Sequence, residues 1–223
     1  IFGARRVGKT VMMRKIVDNY SGRTMMLNGE DYDTLALLEN RSIANYRHLL
    51  DGIDLLAIDE AQNIPQIGSI LKLIVDEIPG ISVLASGSSS FDLLNKTGEP
   101  LVGRSTQFLL TPFSQREIAQ IETPFETRQN LEARLIYGSY PEVVMMENYE
   151  RKTDYLRDIV GAYLLKDILA IDGLKNSSKM RDLLRLIAFQ LGSEVSYDEL
   201  GKQLSMSKTT VEKYLDLLEK VFV

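Results

Sequence analysis

Residues 3–10 read Gly-Ala-Arg-Arg-Val-Gly-Lys-Thr, the spacing G-x-x-x-x-G-K-[ST]. The residue types suit polyphosphate chemistry for physical reasons. Gly3 and Gly8 let the backbone curl until the N–H groups of Ala4, Arg5, Arg6 and Val7 face one concave point. The N-terminus of a following helix then adds the positive end of its dipole. Lys9 would carry a cation to the β- and γ-phosphates, and Thr10 would offer a hydroxyl to Mg²⁺. The apolar pair Ile1-Phe2 precedes the pattern and a helix-compatible run follows it. That strand–loop–helix context separates a phosphate cradle from a glycine-rich turn.

Residues 55–60, Leu-Leu-Ala-Ile-Asp-Glu, are an apolar strand ending in two carboxylates. Alone, this is a solvated strand end. Paired with residues 3–10, it sets Asp59 in the Mg²⁺ shell and Glu60 where it polarises an attacking water. The next apolar run ends Ala85-Ser86-Gly87-Ser88-Ser89. A hydroxyl there lies beside the Asp-Glu strand, within reach of the γ-phosphate or the water. Ser88 is the first candidate and Ser86 the second, against a plain serine-rich turn. Arg104 follows Gly103 just before the final strand. It reads either as an arginine finger reaching a neighbouring subunit's nucleotide or as a local salt-bridge residue.

Apolar runs at residues 23–27, 55–58, 81–85 and 106–110, with Ile1-Phe2 as the tail of another, alternate with helical spacing such as Ile67, Ile70, Leu71 and Ile74. Strands alternating with helices predict an α/β fold, a parallel sheet of about five strands sandwiched by helices. After residue 111 no strand signal intervenes until about 175. Ser114-x-x-Glu117 is a capping box, and an amphipathic run from Tyr155 continues toward Gly173. The serines near 177 open a last stretch of three helices, with the short joint Ser205-Met206 suited to a helix-turn-helix. The predicted domains are a core at 1–111, an all-α subdomain at 112–175 and a helix-turn-helix domain at 176–223.

Composition narrows the chemistry. The 223 residues include no cysteine and one histidine, His48, so thiolate catalysis, disulfides and multi-histidine metal sites are excluded. A cytoplasmic setting suits that composition. The net charge of −5 argues against coating nucleic acid by charge alone. No apolar run approaches the ~18 residues of a membrane helix, so no membrane partner is expected. The start at Ile1 and the apolar end Val221-Phe222-Val223 read as cuts in a longer protein.

The segments GARRVGKT, LLAIDEAQ, ASGSSS, LVGR, TPFSQREI, YGSYPEVV and YLLKDIL, in this order, resemble a prokaryotic AAA-type P-loop ATPase near the STAND-type NTPases. Glu directly after Asp, with an extra strand before them, resembles the P-loop class that uses this Glu as catalytic base. The resemblance implies ATP or ADP with Mg²⁺ as ligands, a P-loop NTPase core, a helical lid and a winged helix at the C-terminal side. It also implies that Pro141 lies near the nucleotide base, although Ser139 stands where the family's Gly-x-Pro motif has glycine. Three readings follow. The first is ATP hydrolysis that moves lid and winged helix, with self-association as a partner expectation. The second is a nucleotide-gated DNA-binding switch, and the third an interaction module that keeps ATP for stability. From Ser178 onward seven Lys and Arg face seven Asp and Glu, so the winged helix is neutral. DNA contact through Lys208, Thr209 and Thr210 and a packing or assembly role stay alternatives.

Overall fold

In the computed structural model residues 1–87, 103–164 and 177–220 are described; for 162–164 and 177 only the backbone is. Strands β1 (Thr24–Asn28), β2 (Leu55–Asp59) and β3 (Ser82–Ala85) form a parallel sheet in the order β1-β2-β3. The register sets Asn28 opposite Asp59 and Ala85 opposite Ile58. Every residue of β2 is buried, which is why it reads as a continuous apolar run rather than an alternating one.

The order continues beyond β3. Phe2 bridges Gly87 on one side and Leu109 on the other. The Gly87 N–H donates to the Ile1 carbonyl at 3.0 Å, and the Leu110 N–H to the Phe2 carbonyl at 2.7 Å. Five segments therefore lie side by side, in the order 24–28, 55–59, 82–87, 1–2 and 108–110. The strand expected at 106–110 is a single bridge instead, because Phe2 offers one paired residue and a ladder needs more.

Helices cover both faces of β2. Leu56 and Ile58 point into a cluster with Tyr46 of α3 (Ile43–Leu49) and Ile67, Ile70 and Ile74 of α4 (Ile67–Glu77). α2 (Tyr32–Glu39), capped by the Asp31 carboxylate, adds Leu38 to that side. The intervening Ala57 faces the other way, toward Met13 of α1 (Lys9–Asp18). Side chains alternate along a strand, so one apolar run can serve two layers. The α/β core is thus a small parallel sheet with helices on each side.

Four short helices follow: α5 (Gln115–Ile118), α6 (Pro124–Gln129), α7 (Leu131–Tyr137) and α8 (Pro141–Met145). Capping boxes start two of them, Ser114 with Glu117 and Thr123 with Glu126. In both, hydrogen bonds from the N-cap residue hold the glutamate below its usual pKa. Ile118 and Val143 are the buried apolar side chains of these helices, so polar contacts carry much of the packing. The Arg134 guanidinium pairs with Glu122 and donates to Gln115 Oε1 at 3.0 Å, while Asn130 donates to Glu122 Oε1 at 3.0 Å.

The chain divides into two compact units, Ile1–Glu147 and Asn148–Val223. The division falls inside the span 112–175 that the sequence reads as one helical subdomain. The second unit holds α9 (Tyr149–Asp158), which runs on as a π-helical turn at Ile159–Leu164, then α10 (Ser177–Phe189), α11 (Tyr197–Leu204) and α12 (Lys208–Lys220). Met180, Leu183, Leu200, Val211, Tyr214, Leu217 and Leu218 form its core. α11 and α12 meet through a tight turn in which the Met206 N–H donates to the Gly201 carbonyl at 2.8 Å. A Cβ at Gly201 would lie 2.7 Å from the Met206 carbonyl oxygen, so glycine is what permits the turn. The strand expected at 221–223 lies outside the described residues. No helix among the described residues is long and apolar enough to cross a membrane.

Leu56 is 0% exposed and Leu135 79%. Leu56→Ala should therefore cost about 2–5 kcal/mol of stability, and Leu135→Ala within roughly 0.5 kcal/mol of zero. Urea midpoints of the two variants check this; equal shifts would refute the assignment of the core.

Candidate functional site

The loop 3–8 is shaped by backbone conformations few residues adopt. Gly8 has φ 99°, Gly3 φ 153° and Arg6 φ 66°. A Cβ on Gly3 would stand 2.1 Å from the Leu110 carbonyl oxygen, so glycine there lets the loop pass the segment after residue 108. Ala4 and Val7 turn their side chains into the protein, while Arg6 is exposed. Gly8 precedes α1 without a side-chain cap, and no acid sits in the first turn. The first-turn N–H donors thus keep their positive field for an external anion.

Lys9, 5% exposed, donates from Nζ to the carbonyl oxygens of Gly3 at 3.0 Å and Ala4 at 2.8 Å. The loop thus wraps around its own ammonium. Thr10 Oγ1 donates to Asp59 Oδ2 at 2.6 Å, joining the start of α1 to the end of β2. The opposite oxygen, Asp59 Oδ1, accepts from the hydroxyl of the fully buried Ser86 and from the Glu60 N–H at 3.2 Å. Because β3 lies between β2 and Ile1-Phe2, Ser86 occupies the position where all three segments meet. Ser86, the second serine candidate, is therefore at the carboxylate; Ser88, the first, lies outside the described residues.

Glu60 follows at φ 49°, a left-handed conformation rare for a glutamate. Its N–H also lies 3.2 Å from Ser86 Oγ, and the Ala61 N–H donates to the Ser86 carbonyl at 2.9 Å. Gln62 Nε2 donates to Glu60 Oε2. Gly29 passes directly under this turn: its N–H donates to the Asp59 carbonyl at 2.8 Å, and a Cβ would lie 2.3 Å from the Glu60 carbonyl oxygen. Spacing alone singles out neither Gln62 nor Gly29. An Asn-Gly pair ending a strand is the signal that points to Gly29.

Two further candidates lie around the loop. Pro141 opens α8, and the next residue, Glu142, pairs with Arg6 Nη1 at 3.4 Å. The Phe113 N–H donates to the Ser139 carbonyl at 2.9 Å, holding the same segment near the chain that leaves Leu110. Burial pushes the Tyr140 phenol above its usual pKa. Arg104 Nε lies 2.8 Å from Asp76 Oδ1 of α4, the local ion pair that the sequence leaves as its alternative role.

The donor set fits nucleotide and magnesium. A buried ammonium, a glycine-shaped loop at a helix start, one hydroxyl and one carboxylate are what a polyphosphate with Mg²⁺ needs from protein. Mg²⁺ is ordinarily held by one or two protein oxygens with phosphates and waters completing its shell. In the second unit Lys208 Nζ lies 3.8 Å from Asp198 Oδ2 and Arg185 Nη1 lies 3.7 Å from Asp182 Oδ1, so bases there sit beside acids.

Residues 1–119 match the family described as AAA domain, and residues 128–223 are similar to a domain of unknown function, DUF8612. An uncharacterized protein of Mycobacterium tuberculosis is 24% identical over 223 residues, covering 99% of this chain and 47% of the relative. A Mycobacterium bovis protein, also uncharacterized, gives the same values. An uncharacterized protein of Haemophilus influenzae is 23% identical over 255 residues, covering all of this chain and 60% of its own length. The chain spans about half the length of the mycobacterial relatives it matches.

Ser86→Ala removes a donor from Asp59 Oδ1 and an acceptor from the Glu60 N–H. The Glu60 N–H and Asp59 Oδ1 still meet each other, so the loss is that of a hydrogen bond to a buried carboxylate, about 1.5–3 kcal/mol. A urea midpoint lowered by that amount is the expected result; an unchanged midpoint would mean that Asp59 does not depend on Ser86.

Proposed function

We propose, from the premise that the chain belongs to the AAA domain family and carries its nucleotide-binding, ATPase-type core, that the protein hydrolyses ATP. The observation supporting this most directly is the Thr10–Asp59 hydrogen bond beside a buried Lys9, which brings the loop and the Asp-Glu strand to one point. The amides of residues 3–8 and Lys9 bind the phosphates, with Arg5 and Arg6 at the loop's outer side. Thr10 and Asp59 hold Mg²⁺, which when bound offsets charge on the phosphates. Glu60 accepts a proton from the water that attacks the terminal phosphorus, and ADP leaves. Ser88 orients that water or the phosphate, Ser86 supports Asp59 from behind, and Pro141 borders the base. Turnover in the cytoplasm drives movement of the helical lid and the C-terminal winged helix.

A nucleotide-gated DNA-binding switch is the second reading, supported by the tight α11–α12 turn. The acid-paired bases and zero net charge of that unit make turnover the preferred one.

With the full-length protein, Mg·ATP or Mg·ADP should raise the melting temperature, with about 2.7 kcal/mol of stabilisation at 100-fold excess over Kd. Lys9→Ala should abolish the shift. Glu60→Gln should keep it while lowering turnover by ~10²–10⁴. EDTA should stop turnover in every variant. No shift at millimolar nucleotide would refute the nucleotide reading, and full turnover by Glu60→Gln would refute the assignment of the base.

Arg104 is proposed to leave Asp76 and act on a neighbouring subunit's nucleotide. Arg104→Ala should then spare binding and cut hydrolysis. Mixing it with Glu60→Gln should recover part of the activity, because some composite sites regain both groups. Absence of recovery between subunits shown to exchange would place the arginine's action within its own chain.

A further inference from the structure

The side chain of Gln62 has no part in the reading above, yet it is built into the turn that carries Glu60. It is 7% exposed, an unusual place for a glutamine so close to a strand end. Its Nε2 donates to Glu60 Oε2. The turn that holds both residues is anchored at several points. The Ala61 N–H donates to the Ser86 carbonyl at 2.9 Å, the Asn63 N–H to the Glu60 carbonyl at 3.1 Å and the Ile64 N–H to the Ala61 carbonyl at 3.1 Å. Ala61 and Ile64 are buried in the core, which fixes the frame from which Gln62 reaches back.

A glutamate side chain has three torsions to settle before its carboxylate stands in one place. The backbone of Glu60, already left-handed, sets the direction of the first bond. The Gln62 amide sets the other end by engaging one of the two oxygens. An amide is suited to this work because it donates without carrying a charge and does not titrate in the working range. It also leaves the second oxygen of the carboxylate for a water.

We propose that Gln62 is a positioning residue for hydrolysis: its amide holds the Glu60 carboxylate so that Oε1 meets the attacking water. This rests on the reading of Glu60 as the base. Gln62 touches neither nucleotide nor water in this scheme, so it acts on the rate through Glu60 alone.

The test uses the full-length protein with Mg·ATP, measuring nucleotide Kd, kcat and KM for Gln62→Met and Gln62→Glu in wild-type and Glu60→Gln backgrounds. Gln62→Met removes the donor at similar volume. Gln62→Glu is isosteric and keeps a polar side chain should the thioether fail to fold. Both should leave Kd and KM within about twofold while kcat falls about 10- to 100-fold, the scale on which misplacing a reacting group acts. In the Glu60→Gln background neither should lower kcat further, because the group they position is gone. An unchanged or raised kcat, or an equal loss in both backgrounds, would overturn the proposal. Absence of turnover in the wild-type protein would instead overturn the ATPase reading itself, and the two failures are told apart by that first measurement.

Discussion

Withdrawing a carboxylate from water is costly unless donors meet it, and Asp59, 6% exposed, is met from three directions. Thr10 brings the start of α1, Ser86 brings the end of β3, and the Glu60 N–H closes the turn that follows β2. One side chain therefore sets the distance between the glycine loop and the Asp-Glu strand. The sheet order makes this possible. β3 lies between β2 and Ile1-Phe2, and the residue after it turns its hydroxyl onto Asp59.

Around that node, close backbone approaches replace side chains. Gly3 passes the Leu110 carbonyl and Gly29 passes the Glu60 carbonyl at distances where a methyl would collide. Glu60 itself has a positive φ, a conformation that costs energy and persists because Ser86, Gly29 and the short helical turn Ala61–Asn63 hold the chain on all sides. Arg6 and Glu60 put this strain at the loop before α1 and the end of β2, and Gln66 and Ser205 have positive φ elsewhere in the chain. The fully apolar β2 and the stripe on α4 supply the burial that keeps this edge in shape.

The helices after residue 112 rest on a different balance. Their apolar burial is sparse, and Ile121, Phe125, Leu135 and Ile136 are exposed. Capping boxes and the Arg134–Glu122 pair, with Gln115 and Asn130, organise them instead. Pairing of this kind gives direction more than stability, since partners must first be taken from water. The Arg6–Glu142 contact is a polar link from this region to the glycine loop. α10–α12 return to ordinary apolar packing, with Leu183, Leu200 and Val211 buried at their centre.

The sequence by itself determined the local features. The glycine loop, the apolar runs that became β1 to β3, the capping box at Ser114 and the turn between α11 and α12 follow from nearest-neighbour chemistry. Each depends on residues within a few positions of one another. What lies across the chain was decided by tertiary structure. That the Ser86 hydroxyl meets Asp59 depends on which residue of the strand end is level with that carboxylate, and register is a relation between distant segments. Arg104 beside Asp76 and Glu142 beside Arg6 leave no periodic trace, because a hydrogen bond depends on where two side chains arrive in space. Spacing along the chain encodes that only where both partners share one helix or one turn.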